Sequence, residues 1–165
     1  MMSIAQMLLP EWDNEMRNTR RALERVPVGK LGFRPHEKSW TLAELATHVA
    51  RLPSWATITL TTDDLDLAET PPGTALDSVD AMLEEFDRHI AQARDVIATS
   101  ADQHFGSPWT LKNGAQVMLT LPKAAVLRSF VLSHIIHHRG QLTVYLRLAG
   151  ASVPGMYGPS ADEAM

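Results

Sequence analysis

The sequence predicts an all-α protein, a four-helix bundle with a small β-hairpin inserted before the last helix. Three observations carry that reading. Apolar residues recur at helical spacing in four long stretches. A Thr-x-x-Glu box opens the second of them. One Asn-Gly pair between β-prone runs separates the third from the fourth.

The first helix is expected over residues 1–26. Met7, Leu8, Trp12, Met16, Leu23 and Val26 give it a broken apolar stripe, and Pro10 marks either an early boundary or the first turn of the main helix. Residues 27–40, punctuated by Pro27, Gly29, Gly32 and Pro35, read as a connection. Thr41-x-x-Glu44 then caps a second helix running through Leu42, Leu45, His48, Leu52 and Trp55, with Pro53 kinking or interrupting it. Residues 61–74 read as a loop, because they combine four acids with Pro71, Pro72 and Gly73. The Asp63-Asp64-x-Asp66 cluster in it lacks the glycine and terminal glutamate of a calcium loop and reads as solvated. A third helix over 77–99 carries Met82, Leu83, Phe86, Ile90, Ala93 and Ile97 on one face. The hairpin is expected over 107–121, turning at Asn113-Gly114.

Pro122 stands near the start of the fourth helix, over 123–149, and Gly150 ends it. Leu127, Phe130, Val131, His134, His138, Gln141, Leu142 and Tyr145 share one broad face of that helix. Leu132, Ile135 and Ile136 lie opposite. A helix that is apolar nearly all round is buried on both sides, so a homodimer through the last helix is expected.

The totals narrow the classes of function. A chain of 165 residues is long enough for one domain with its own core. Net charge is −4, and no run of Lys or Arg is longer than Arg20-Arg21, which disfavours nucleic acid as a partner. There is no cysteine, so disulfides, thiolate metal sites and a cysteine nucleophile are excluded. A metal site must use His, Asp or Glu, which suits zinc, nickel or manganese. No stretch of 18 apolar residues and no signal-peptide pattern is present, so a cytoplasmic chain with no membrane partner is expected.

The residues that carry chemistry are histidines. His134 and His138 are one turn apart on one helix face, a spacing by which a single helix offers a metal two ligands. His48 falls on the inner face of the second helix, and bundle cores are where facing helices build such sites. Three imidazoles with an open position form the pattern of a catalytic metal. Taken singly, each reads as a core histidine hydrogen-bonded to a neighbour, and only the three together raise the metal reading to its equal. His137 rivals His138 by spacing but lies farther from the apolar stripe. His36, His89 and His104 read as solvated. Arg139 points away from the stripe, toward a carboxylate partner or the tail. Gln141 faces the stripe and is placed to orient a ligand. No nucleophile elbow, phosphate-cradling loop or dinucleotide fingerprint is present.

Three segments carry a family resemblance: Ser39-Trp40-Thr41-x-x-Glu44-x-x-x-His48, His134-x-x-x-His138-Arg139-Gly140-Gln141 followed by Tyr145-Leu146-Arg147, and Val153-Pro154-x-x-Tyr157-Gly158-Pro159-Ser160. Together they resemble the DinB/YfiT-like family, over nearly the whole chain. The resemblance implies a four-helix bundle, often dimeric, and a divalent metal, zinc or nickel, on a three-histidine site matching His48, His134 and His138. Relatives with known activity include thiol-dependent S-transferases and a mycothiol-dependent maleylpyruvate isomerase. The expected function is therefore metal-dependent transfer to or from a low-molecular-weight thiol, with a small thiol and an electrophile as substrates. The alternatives are a metal-dependent hydrolase and a non-enzymatic metal-binding stress-response dimer.

Overall fold

The first helix begins where Ser3 supplies a cap. Its hydroxyl accepts from the Gln6 amide while the Gln6 side chain accepts from the Ser3 amide, a reciprocal box that satisfies two free donors. The computed structural model describes residues 2–70 and 73–164. Met1 of the expected first helix and Pro71 and Pro72 of the expected loop lie outside them. Helix α1 spans Ile4–Leu23, and Pro10 lies inside it rather than at a boundary. A 3-10 turn, Val28–Lys30, follows.

The second expected helix forms as two. Helix α2 spans Leu42–Arg51, with both capping-box bonds between Thr41 and Glu44 made. Pro53 then interrupts the chain and stands as the N-cap residue of α3, Ser54–Thr61. Helix α4 spans Val79–Thr99, capped by the Ser78 hydroxyl on the Ala81 amide. A short helix α5, Asp102–Phe105, leads to the sheet.

The sheet corrects one expectation. The hairpin is present, as β2 (Pro108–Asn113) and β3 (Gln116–Pro122), but a third strand joins it. Strand β1, Asp64–Asp66, lies in the segment read as loop and pairs parallel to β2, Leu65 opposite Leu111. Asp63 and Asp64 are exposed, as expected of the acidic cluster, while Asp66 is half-buried and holds the turn. Asp66 Oδ1 accepts from the Gly114 amide at 2.8 Å and from Ala68 at 2.9 Å, and Asp64 lies 3.3 Å from the Lys112 amine. A three-residue strand has too few residues to show a period, and only its partner makes it one. The tight turn is centred on Gly114-Ala115, with Gly114 at φ +57°, a conformation that favours glycine. Trp109 and Leu111 point into the core, while Val117, Met118 and Leu121 of β3 stay exposed.

The last helix has three segments: α6, Lys123–Ala125; a π-helical stretch, Val126–Leu132; and α7, Ser133–Leu148. The sequence reading held one uninterrupted helix. Two serines account for part of the widening. Ser129 and Ser133 turn their hydroxyls back to the carbonyls of Ala125 and Arg128, competing with the regular ladder. Gly150, at φ +81°, ends the helix.

Packing places α4 against α1, α2 and α3, and α7 against α1 and α2. The core runs through Trp12, Leu23, Leu45, Phe86, Trp109 and Leu146. Leu132 and Ile135 are buried in the same core within one chain. Of the apolar face that the sequence assigns to a second copy, Leu132 and Ile135 are thus covered by the chain itself, and Ile136 is half-buried. Among the described residues, no helix is long and apolar enough to cross a membrane.

Candidate metal centre

The cap on α2 and the packing of α7 on α2 bring His48, His134 and His138 together. One ring nitrogen from each lies within 4.8 Å of the others, and among the described residues no other His, Asp or Glu belongs to such a group. His48 Nε2 and His134 Nε2 are 3.3 Å apart. Two nitrogens each about 2.0–2.1 Å from one tetrahedral zinc stand about 3.3 Å apart, so this pair already has ligand spacing.

His138 Nδ1–H donates to Gln141 Oε1 at 2.7 Å, which leaves its Nε2 as the acceptor nitrogen. Burial, with the other two imidazoles close by, pushes His48 down from 6.5 to about 4. His134 falls to about 4 through burial and the neighbouring His138 and His137. His138 is also lowered, chiefly by burial, against the opposing bond from Gln141. At neutral pH all three are uncharged imidazoles, the form a metal requires. The donor set and its spacing fit a divalent ion.

Aromatic rings wall the cluster. Trp40 stacks on His138 at 5.6 Å with 18° between planes and meets His48 edge-on at 5.1 Å. Phe130 and Trp55 cover His134 at 5.6 and 6.2 Å. Trp40 also divides two clefts that reach the histidines. One, of about 280 Å3, is bounded by His48, Glu44, Thr47 and Arg51. The other, of about 450 Å3, is bounded by His138, Gln141, Leu45, Val144 and Tyr145. The sequence reading singled out none of Trp40, Arg51, Trp55 and Phe130 for the site. Arg51 had a usable signal, standing three residues after His48 and hence on a neighbouring face. Trp55 and Phe130 meet only through folding.

Glu44 is the acid closest to acting as a base, and its geometry argues against that. Its Oε2 accepts from the Thr41 amide at 2.6 Å and from the Thr41 hydroxyl at 2.8 Å. These bonds hold its carboxyl below the usual range. A carboxylate so engaged is a weak proton acceptor.

Arg139 does both things its position allowed. Buried, it pairs with Glu15 at 2.7 Å and donates to the hydroxyl of Tyr157 in the tail, which itself donates to Glu15 at 2.6 Å. This locks α7 to α1 one residue beyond His138. His137 is exposed and flanks the cluster. His36 is exposed as expected. His89 and His104 are not solvated. His104 Nε2 donates to Leu60 O at 2.7 Å, and His89 lies half-buried, its Nε2 3.5 Å from Glu85.

Comparison with known proteins follows the same lines. A curated relative, the uncharacterized protein YrdA of Bacillus subtilis (strain 168), is 28% identical over 159 residues, spanning 94% of this chain and 89% of that protein. Among solved structures, a DinB-like protein from Bacillus cereus ATCC 10987 superposes with a TM-score of 0.74 at 22% identity, over 94% of this chain and 99% of that one. A DinB-like protein from Bacillus subtilis gives 0.68 at 16% identity, over 88% and 93%. At these identities the structural likenesses establish the fold. The model of the DinB family matches residues 1–165, and the chain belongs to that family.

Proposed function

We propose that this chain is a metal-dependent enzyme in which His48, His134 and His138 hold a divalent ion, zinc or nickel, that activates a low-molecular-weight thiol for S-transfer. The carrying observation is the convergence of three neutral imidazoles beneath two clefts. A divalent ion held by these three residues would lower the pKa of a bound thiol and so supply a thiolate near neutral pH. The chain's own residues do the rest. Gln141 fixes the tautomer of His138, Trp40 shields the cluster from water on one side, and the two clefts admit two reactants from opposite sides of Trp40. A chain without cysteine takes its sulfur nucleophile from a cosubstrate.

The hydrolase alternative needs a general base, and the engagement of Glu44 by Thr41 weighs against it. A non-enzymatic metal-binding role in stress response is the remaining reading. We read the architecture as one DinB-like four-helix bundle domain, α2 and α3 counting as one broken helix and α6 to α7 as another. We also propose a homodimer through the last helix, now on its exposed Val144 and Leu148.

The test is an assay of metal-loaded protein with a panel of small thiols and an aryl halide electrophile. Thiol-dependent turnover that disappears in His138→Ala supports transfer. Ester cleavage without any thiol supports the hydrolase. Metal binding with neither activity supports the non-enzymatic role.

A further inference from the structure

The two clefts differ in how their cations are held, and the difference points to the kind of group the smaller one receives. In the smaller cleft, Arg51 follows His48 by three residues on α2. Its guanidinium is held from two sides. Nε and Nη2 donate to the two oxygens of Glu85 at 3.0 and 3.3 Å, and Nη1 donates to Thr74 O at 2.9 Å. Gly73 makes room for this: a Cβ there would lie 2.5 Å from Arg51 Nη1. Three of the five guanidinium N–H groups are thus used, and two find no partner among the described residues.

Glu85 does not cancel Arg51. The same carboxylate also faces Arg88 at 3.8 Å, so two arginines share one anion and the cluster keeps an excess positive charge. His89, 3.5 Å from Glu85, is lowered chiefly by burial and adds no charge at neutral pH. Glu44, the other acid on this cleft, stays ionised, with its Oε2 taken up by Thr41 and facing Arg34 at 3.8 Å, so its charge has a partner outside the Arg51 cluster. In the larger cleft the only cation among the bounding residues, Lys38, is exposed and has no such brace.

We propose that the smaller cleft receives the carboxylate of a short-chain acid, anchored by the two N–H groups of Arg51 that have no partner among the described residues, with the reacting end of that molecule at the histidine cluster. The proposal deepens the thiol-transfer reading and rests on it only for what occupies the histidine end. A guanidinium pinned by a carboxylate binds a second carboxylate with little ordering cost, and charge-assisted bonds are the strong ones. A cleft of about 280 Å3 suits a small acid rather than a bulky ligand.

The test is calorimetric titration of the full chain loaded with zinc, comparing 3-mercaptopropionate with its neutral counterpart 2-mercaptoethanol. The charged thiol is expected to bind about tenfold or more tighter. In R51Q/E85Q, which removes the Arg51–Glu85 pair together and leaves the exposed Arg88 to solvent, the preference is expected to vanish; R51K, which keeps the charge but loses the fork, retains part of it. Equal affinities in the native chain, or an undiminished preference in R51Q/E85Q, overturn the proposal. If zinc does not bind, the metal reading fails, and the anchor is read instead from the zinc-free chain by NMR titration with propionate and propionamide. A propionate preference that R51Q/E85Q abolishes then upholds Arg51, and no preference overturns it.

Discussion

The histidines set two expectations that belong to single residues. His48 and His134 have folded-state values near 4 against an ordinary 6.5. For a group whose value is depressed on folding, the unfolded chain binds more protons, so stability is present above the unfolded value and is lost as pH falls. Metal-free protein is therefore expected to keep its thermal midpoint above pH 6.5 and to lose stability progressively between 6.5 and about 4, as read by melting in chelator. A flat profile across that window would show that the cluster is not desolvated as described. Gln141→Ala frees the His138 ring, and loss of such an orienting partner lowers metal affinity about 10–100-fold. A metal-competition titration reads that directly. His48, His134 and His138 were legible in the sequence because helical period places them on apolar faces. The spacing of Arg51 from His48 and the place of Trp40 in the first motif were visible too, but the stacking contact and the bond to Glu85 that make them site residues form only across the fold.

Among the elements, α2 depends on its cap. Thr41→Ala removes the hydroxyl that accepts from the Glu44 amide and costs about 1 kcal/mol. For a chain of this size that is about 2–4 °C of thermal midpoint. The junction of α7 with α1 is costlier to break. Arg139 and Glu15 are both buried, and removing one member of a buried pair strands the other, so Arg139→Ala is expected to lose about 3–5 kcal/mol in a denaturant titration. Helix starts and stops were the most readable features, because Thr41-x-x-Glu44, Pro53, Pro122 and Gly150 act through local chemistry. Strand β1 and the π-helical stretch were not readable. The first exists only because Thr110–Lys112 lies alongside it, and the second arises within an apolar run whose period looks regular. The serines that bend their hydroxyls back were visible in the sequence, yet their geometry was not.

For the whole molecule, the mostly helical fold and the family were legible from three motifs spread over the chain. The apolar character of Leu132 and Ile135 is satisfied within one chain, which leaves Val144 and Leu148 as the exposed apolar residues of α7. A dimer through them is expected in light scattering at micromolar concentration, weakened by Val144→Glu. A monodisperse monomer contradicts it without touching the histidine site. Three histidines from two helices are expected to hold one ion, and elemental analysis of the purified chain, beside His134→Ala carried through the same preparation and metal loading, measures it. One divalent ion per chain is expected in the native protein, and its loss in the variant with the fold retained by circular dichroism. No bound metal in the native chain after loading, or equal metal in both, would contradict it.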